Sequence, residues 1–207
     1  MPPAMKYQKE EIVLAAYNVA RKKGIDAVTA REVARELRVS VGPIFTWFDT
    51  MDQLRNEVSG LAKKRYREYI ERGLAEPVPF LGVGQQYIRF AKEEPELYKL
   101  IFLTGPGKGN GGATEALELS QELVRESLKR IYNMDDQTAD RYFRDLWLVA
   151  FSFATLTVTN DCPYTEEQMS AILTEISLAV CKAYKEIPGL ANGAYDKDAV
   201  FSELVKK

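Results

Sequence analysis

The segment SVGPIFTWF, residues 40–48, has one bulky apolar side and one unusually slim side. Ile44 and Phe48 are four residues apart, so on a helix they share one face and are expected to be buried together. Gly42, Pro43 and Thr46 fall on the other face, where small side chains let a bulky partner come close to the backbone. One hydroxyl among small apolar groups suits contact with base edges and thymine methyl groups in a DNA groove.

Two short helices joined by a tight turn are expected to hold this face in place. Thr29 is placed to cap the first helix, and Ser40 is placed to cap the second. Within the first helix, an apolar stripe is formed by Val33, Ala34 and Leu37. This pattern is typical of a helix-turn-helix, whose second helix enters a major groove. The spacing alone also fits plain helix packing, so both interpretations stay open at this point.

An ordered set of residues between Glu11 and Leu54 resembles the N-terminal domain of TetR-type transcriptional repressors. The matching residues are Ile12, Ala15, Ala20, Gly24, Val28, Thr29, Val33, Ala34, Leu37, Val39, Ser40, Gly42, Ile44, Phe45, Trp47, Phe48, Asp52 and Leu54. The resemblance implies a DNA-binding domain, for which the candidate contact residues are Thr29, Arg31, Ser40, Val41, Gly42, Pro43, Phe45, Thr46 and Trp47.

The predicted recognition helix departs from the TetR pattern where DNA contact is concerned. Pro43 stands where the family often has Thr, and Phe45 and Met51 stand where it commonly has a Tyr and a Lys that meet phosphate. Trp47 replaces a second Tyr but keeps one N–H donor. Thr46 remains the main polar group for base edges, with Arg31 or Arg38 of the preceding helix as further candidates. We therefore expect weak direct readout and a greater dependence on DNA shape or dimer spacing.

Composition argues against catalysis. The chain has 207 residues, 46% apolar and 28% charged, which is ordinary for a globular protein. It contains no His, no Ser or Cys lies beside an identifiable base, and no Cys/His spacing fits a metal. The glycine-rich segment 105–112 includes a G-x-G-x-x-G, but a dinucleotide site needs a preceding strand, and none is indicated. We expect a mobile loop there, no enzyme activity, no cofactor and no metal.

Charge is distributed unevenly along the chain. Up to Thr50 there are eight basic and six acidic residues, whereas the remainder has 20 basic and 24 acidic. A mildly basic N-terminal segment followed by an acidic remainder is typical of a small DNA-binding module attached to another domain. Residues 1–7 are expected to form a loose arm, in which Lys6 either meets DNA phosphate or stays solvated.

The expected location is the cytoplasm, with no membrane partner. Cys162 and Cys181 are too few for a disulfide framework, and no signal peptide precedes the first helix. The longest uncharged run, Leu146–Asn160, is shorter than the roughly 20 residues that span a bilayer.

Helical periodicity predicts an all-α chain of about nine helices. Residues 1–50 are expected to form the three-helix DNA-binding domain, and residues 51–207 a helical domain for effector binding and dimerisation. The expected helices are 8–23, the two of the helix-turn-helix, 50–71, two within 80–103 broken near Glu94 and Pro95, 113–132, 138–159, 165–187 and a short or disordered tail. The 138–159 helix is apolar all round and must be covered on every side. Together with the next helix, it suggests a four-helix dimer interface.

A second resemblance, to one C-terminal type among TetR-like regulators, covers residues 87–102 and Trp147. That type often has His-Gly in a later helix, where this chain has Phe151 and Ser152. The candidate effector-binding residues are Tyr87, Tyr98, Phe102, Trp147, Phe151 and Tyr184. For each of them ordinary core packing is favoured over ligand contact, because aromatic side chains dominate cores.

These features together predict a homodimeric DNA-binding regulator, most simply a repressor released by a small-molecule effector, acting on palindromic double-stranded DNA. The alternative is a protein-interaction or effector-binding module of the same fold that has lost strong DNA binding.

Overall fold

Helices account for all the regular structure that the described residues form. The computed structural model describes residues 7–105 and 111–205, so Lys6 of the predicted arm and most of the predicted glycine-rich loop lie outside the described residues. The elements are α1 (Lys9–Lys23), a 3-10 turn (Ile25–Ala27), α2 (Ala30–Leu37), α3 (Gly42–Trp47), α4 (Met51–Leu74), α5 (Pro79–Glu93), α6 (Pro95–Tyr98), a π-helical turn (Lys99–Leu103), α7 (Gly112–Tyr132), α8 (Asp136–Val158), α9 (Glu166–Glu186) and α10 (Lys197–Val205). The all-α prediction is confirmed.

Local capping signals set most of the helix starts. The Thr29 hydroxyl oxygen accepts from the backbone N–H of Glu32, as predicted for the start of α2. Thr165 and Gln168 form the predicted reciprocal capping box at the start of α9. Asp135 caps α8, which therefore begins two residues before the predicted Thr138.

Two local predictions are wrong. Ser40 does not cap α3, because the N-cap is Val41, whose backbone already has helical angles (φ −71°, ψ −18°) and offers no side-chain acceptor. The helix after Pro95 also does not run unbroken to Leu103. It changes at Lys99 into a π-helical turn, which ends where the Thr104 N–H donates to the Lys99 carbonyl at 2.8 Å.

The described chain separates into two compact units. Unit 1 comprises Met1–Ile70 and Arg89–Leu119, and unit 2 comprises Glu71–Ile88 and Ser120–Lys207. The core of the predicted DNA-binding domain lies in unit 1, where the helix stripes meet and Ile12, Val33, Ile44, Leu54 and Val58 are fully buried. The domain boundary expected at residue 50 stays a prediction.

A buried carboxylate joins three helices of unit 1. Glu94 lies at the break between α5 and α6 and is 1% exposed. Its carboxylate accepts from Arg21 of α1 at 2.5 Å and 2.6 Å, in a bidentate pair, and from Arg65 of α4 at 3.2 Å. Each oxygen of the buried charge is thereby matched to a guanidinium donor.

Removal of this carboxylate is expected to destabilise the protein far more than loss of a surface ion pair. Glu94→Ala leaves Arg21 and Arg65 facing each other without the shared anion, so we expect a loss of about 3 kcal/mol in the free energy of unfolding. Glu126→Ala removes an exposed pair with Lys129 and should cost less than about 1 kcal/mol. Urea denaturation of both variants at one protein concentration measures the two losses of unfolding free energy. Equal losses would contradict the structural role of Glu94.

In unit 2 the end of α4 crosses the start of α5 at a pair of glycines. A Cβ built on Gly82 would lie 2.4 Å from the Gly73 carbonyl oxygen, and one on Gly73 would lie 2.6 Å from the Val83 nitrogen. The two backbones therefore approach more closely than any side chain allows. Beyond this crossing, Phe80 packs against three rings of α7 and α8, which are Tyr132, Tyr142 and Phe143.

Alanine at Gly82 is expected to force the two helices apart, at a cost of about 1–3 kcal/mol in unfolding free energy. Gly60 provides the matched control, because it lies inside α4 and a Cβ there meets nothing within 4 Å. Gly60→Ala should stabilise the protein by up to about 1 kcal/mol through helix propensity alone. Thermal and urea unfolding measure both variants, and a neutral Gly82→Ala would show that the crossing relaxes freely.

Candidate nucleic-acid interface

The slim face predicted for residues 41–46 is exposed in α3. Val41 is 40% and Phe45 50% exposed, and Gly42 and Thr46 are exposed beside them. On the opposite side of α3 Ile44 is fully buried. The helix therefore presents a short, uncharged surface of small and aromatic groups.

The polar groups of this surface are already engaged within the protein. Thr46 Oγ1 donates to the Gly42 carbonyl at 3.3 Å, and Trp47 Nε1, half-buried, donates to the Tyr7 carbonyl at 3.0 Å. The indole N–H noted in the sequence as a donor for DNA thus has an internal acceptor. Only the Thr46 oxygen keeps acceptor capacity, which leaves α3 few means of hydrogen-bonding base edges.

Most cations of α1 and α2 are paired with carboxylates. The pairs are Lys9 with Glu57, Arg21 with Glu94, Lys22 with Glu36, and Lys23 and Arg35 with Glu32. The two Glu32 partners hold its pKa below the ordinary value, mainly through the hydrogen bond from Arg35. Arg31 and Arg38 are exposed and form no ion pair within the described part of the chain.

Arg38 occupies a backbone conformation that the sequence did not reveal. It ends α2 in the left-handed region (φ 58°, ψ 45°), where glycine is the usual residue. The Val39 N–H then donates to the Ala34 carbonyl at 2.9 Å, which closes the turn between α2 and α3. The turn fixes Arg38 beside the recognition helix at a conformational cost of roughly 1 kcal/mol.

The six candidate effector-binding residues fall into three groups. Tyr87, Trp147 and Phe151 lie together in unit 2. The ring centroids of Tyr87 and Trp147 are 6.4 Å apart, and Trp147 stacks on Phe151 with a centroid distance of 5.0 Å. Tyr98 and Phe102 pack together in unit 1, 4.8 Å apart, and both are buried. The role of all six in ligand binding stays a prediction.

Tyr184 stands apart from the other candidates in unit 2. Its hydroxyl donates to Asp145 Oδ2 at 2.7 Å, and its ring lies 6.3 Å from Tyr142. Burial and then the bond to the Asp145 carboxylate raise the pKa of Tyr184.

Neither a metal centre nor a membrane span is found in the part of the chain that the structure describes. No group of three metal-ligating side chains occurs there. None of its helices is both long and apolar enough to cross a bilayer.

A helix-turn-helix with an exposed second helix, followed by a long helical region, defines the chain as a DNA-binding regulator fold. The family model of bacterial regulatory proteins of the tetR family matches residues 12–58, and that of the tetracyclin repressor-like C-terminal domain matches residues 80–184. The chain therefore belongs to the TetR family. Members are non-enzymatic transcription factors that bind DNA and small-molecule effectors, typically as dimers.

Solved structures share this fold at low sequence identity. A proposed transcriptional regulator from Pseudomonas aeruginosa PAO1 is 13% identical over 87% of this chain and 95% of its own, with a TM-score of 0.62. NalD, the secondary repressor of the MexAB-OprM multidrug efflux pump in Pseudomonas aeruginosa, is 14% identical over 83% and 94%, with a TM-score of 0.53. The multidrug binding protein EbrR, solved with imidazole, is 22% identical over 82% and 94%, with a TM-score of 0.52. No curated protein sequence matches the chain.

A hydroxyl on the exposed ring of Phe45 is expected to strengthen DNA binding without changing the sequence specificity. Phe45→Tyr adds a donor at the edge of α3, where a DNA phosphate would accept it, so affinity should rise about threefold for every duplex alike. Phe80→Tyr, in the buried ring cluster of unit 2, is the control and should leave DNA affinity unchanged. Fluorescence anisotropy with specific and random duplexes measures the effect, and a gain confined to one sequence would show base readout at this position.

Proposed function

We propose that this protein is a homodimeric, cytoplasmic repressor that binds palindromic double-stranded DNA and leaves it when a small-molecule effector binds. Membership of the TetR family supports the general role, and the surface of α3 supports DNA contact by this chain in particular. The proposed contact residues are Thr29, Arg31, Ser40, Val41, Gly42, Pro43, Phe45, Thr46 and Trp47.

The observation that carries this proposal is the exposed, slim face of α3. Phe45 and Val41 are both exposed on this helix, next to Gly42 and Thr46, and together they form a small apolar patch. These groups fit against thymine methyl groups and the walls of a major groove. Because hydrogen-bonding groups are few, sequence preference is expected to arise chiefly from DNA shape and from the spacing of two recognition helices.

Arg31 and Arg38 are the proposed phosphate contacts. Arg31 lies in the first turn of α2 and Arg38 in the turn that leads to α3, so both precede the recognition helix along the chain. Because neither guanidinium is paired with a carboxylate of the described residues, both can bind phosphate without first breaking an ion pair.

The proposed dimer contact is the outer face of α8 and α9. These helices pack against each other within unit 2, yet Leu148 of α8 is 52% and Leu178 of α9 66% exposed. The exposed side of α9 also includes Ala171 and Ala179, which allow close helix approach. A two-fold pairing of this face would form a four-helix interface and duplicate α3, which accounts for the expected palindrome.

The proposed effector site is formed by candidate aromatic side chains of the C-terminal helical region. NalD represses a multidrug efflux pump and EbrR is a multidrug binding protein, which supports a small-molecule ligand for the same fold. An effector acts by binding one conformation of the dimer more tightly than the DNA-bound conformation.

Selection of bound duplexes from a random pool tests the proposal. We expect recovery of palindromes with half-sites about one DNA turn, or a multiple of it, apart, bound by a dimer whose mass is measured by light scattering. Failure to bind any duplex at low salt would contradict the proposal and favour a module that has lost DNA binding.

Each free arginine is expected to contribute one phosphate contact. Arg31→Ala and Arg38→Ala should each weaken binding to all duplexes and reduce the slope of log K against log salt by about 1. Arg35→Ala is the matched control, because Arg35 lies on the same helix but is paired with Glu32. Salt titrations by anisotropy compare the three, and an equal loss of slope in Arg35→Ala would refute the distinction between free and paired arginines.

A further inference from the structure

Three buried polar side-chain atoms of unit 2 have no hydrogen-bond partner among the described residues. Arg141 Nε on α8 is one of them, and its side chain lies beside Gly193. The other two are the indole N–H of Trp147 on α8 and the side-chain oxygen of Gln86 on α5. Both side chains are more than nine-tenths buried, at 7% exposure each. A buried donor and a buried acceptor thus remain unsatisfied in the same unit.

Such atoms are unusual, because a buried polar group without a partner lowers stability. Side chains of the same two types have partners at other, less buried positions. The neighbouring Gln85 donates to Ser170 Oγ at 2.9 Å, and the other tryptophan, Trp47, donates to the Tyr7 carbonyl at 3.0 Å. Among the described residues, Arg55 Nε, Ser59 Oγ and Arg141 Nε also lack a partner. Trp147 and Gln86 differ from them in their link to one aromatic cluster, because Tyr87 contacts Trp147 and adjoins Gln86 in sequence.

The rings that contact Trp147 are uncharged. Trp147 stacks on Phe151 at 5.0 Å and meets the ring of Tyr87 at 6.4 Å, and Tyr87 follows Gln86 directly on α5. Stacked rings favour a flat, apolar ligand body. An ionised ligand would need a buried counter-charge, which these four side chains do not supply.

We propose that the effector is a neutral, planar molecule that carries both a hydrogen-bond acceptor for Trp147 Nε1 and a donor for the Gln86 amide oxygen. Its ring system packs against Tyr87, Trp147 and Phe151. This inference rests on the proposed function, since it specifies the chemistry of the effector site of the same repressor. Lactams and related amide-bearing heteroaromatic compounds combine these properties.

Binding of 2-quinolone to the full-length dimer tests this chemistry directly by calorimetry. It is a flat bicyclic lactam with one N–H donor and one carbonyl acceptor. We expect one molecule per protomer, bound at least tenfold more tightly than naphthalene, which has neither polar group, and than 2-naphthoate, which is an anion. Equal binding of all three compounds, or no binding of 2-quinolone, would overturn the proposal.

Two substitutions separate a ligand-binding role from a packing role. Trp147→Phe and Gln86→Leu remove one unsatisfied atom each while keeping most of the volume. Each should weaken 2-quinolone about tenfold, because one hydrogen bond is lost, while the ligand-free melting temperature is unchanged or higher. Gln85→Leu, at the neighbouring position, is the control and should leave 2-quinolone affinity unchanged.

The outcomes also distinguish this inference from the proposed function. Unchanged 2-quinolone affinity in Trp147→Phe and Gln86→Leu, or a lower ligand-free melting temperature in both, would overturn the inference alone, provided that the protein still selects a palindromic duplex. Failure to bind any duplex, with selective 2-quinolone binding intact, would overturn the proposed repressor function and leave the ligand chemistry standing.

Discussion

The ion triad of Glu94 with Arg21 and Arg65 is the constraint on which the architecture of unit 1 depends. Glu94 is buried, and a buried carboxylate persists only when opposite charge and hydrogen-bond donors surround it. Its partners come from the last turn of α1 and from the middle of α4, while Glu94 itself begins α6. Three helices that are distant in sequence are therefore held in one relative position. Because α1 packs within the helix-turn-helix core, the start of α6 is fixed to the DNA-binding helices.

Ion pairing also reduces the positive charge of the predicted DNA-binding domain. Carboxylates on α2 and α4 neutralise lysines that would otherwise attract any polyanion, and two arginines remain available. A DNA-binding domain with so few unpaired cations is expected to bind DNA weakly through charge alone. The apolar fit of α3 and the presence of two such domains in a dimer then contribute more to the affinity. The net charge of −2 for the whole chain is consistent with a protein that does not bind DNA indiscriminately.

Features encoded by neighbouring residues could be predicted from the sequence, and features that depend on distant partners could not. The Thr29 cap, the Thr165 capping box and the break at Pro95 rest on signals within four residues. The partners of Glu94 are 73 and 29 residues away, which no periodicity reveals. At the candidate site, the apolar and exposed faces of α3 followed from helical spacing. The internal acceptor for Trp47 and the left-handed backbone of Arg38 became visible only in three dimensions.

The ion triad also restricts how unit 1 would respond to the proposed effector. Coupling energies between two sites in a protein are typically about 1–3 kcal/mol, whereas separating a buried carboxylate from its partners costs about 3–5 kcal/mol. The lower-cost response keeps Glu94 bound to Arg21 and Arg65 and moves α1, α4 and α6 together. The rings of Tyr66 on α4, Tyr98 on α6 and Phe102 on the π-helical turn pack against one another, and they add apolar contacts between α4 and the segment that follows Glu94. Phe102 is thereby joined by packing to the helix that carries Arg65, so we expect a displacement of Phe102 to act on these helices as a group.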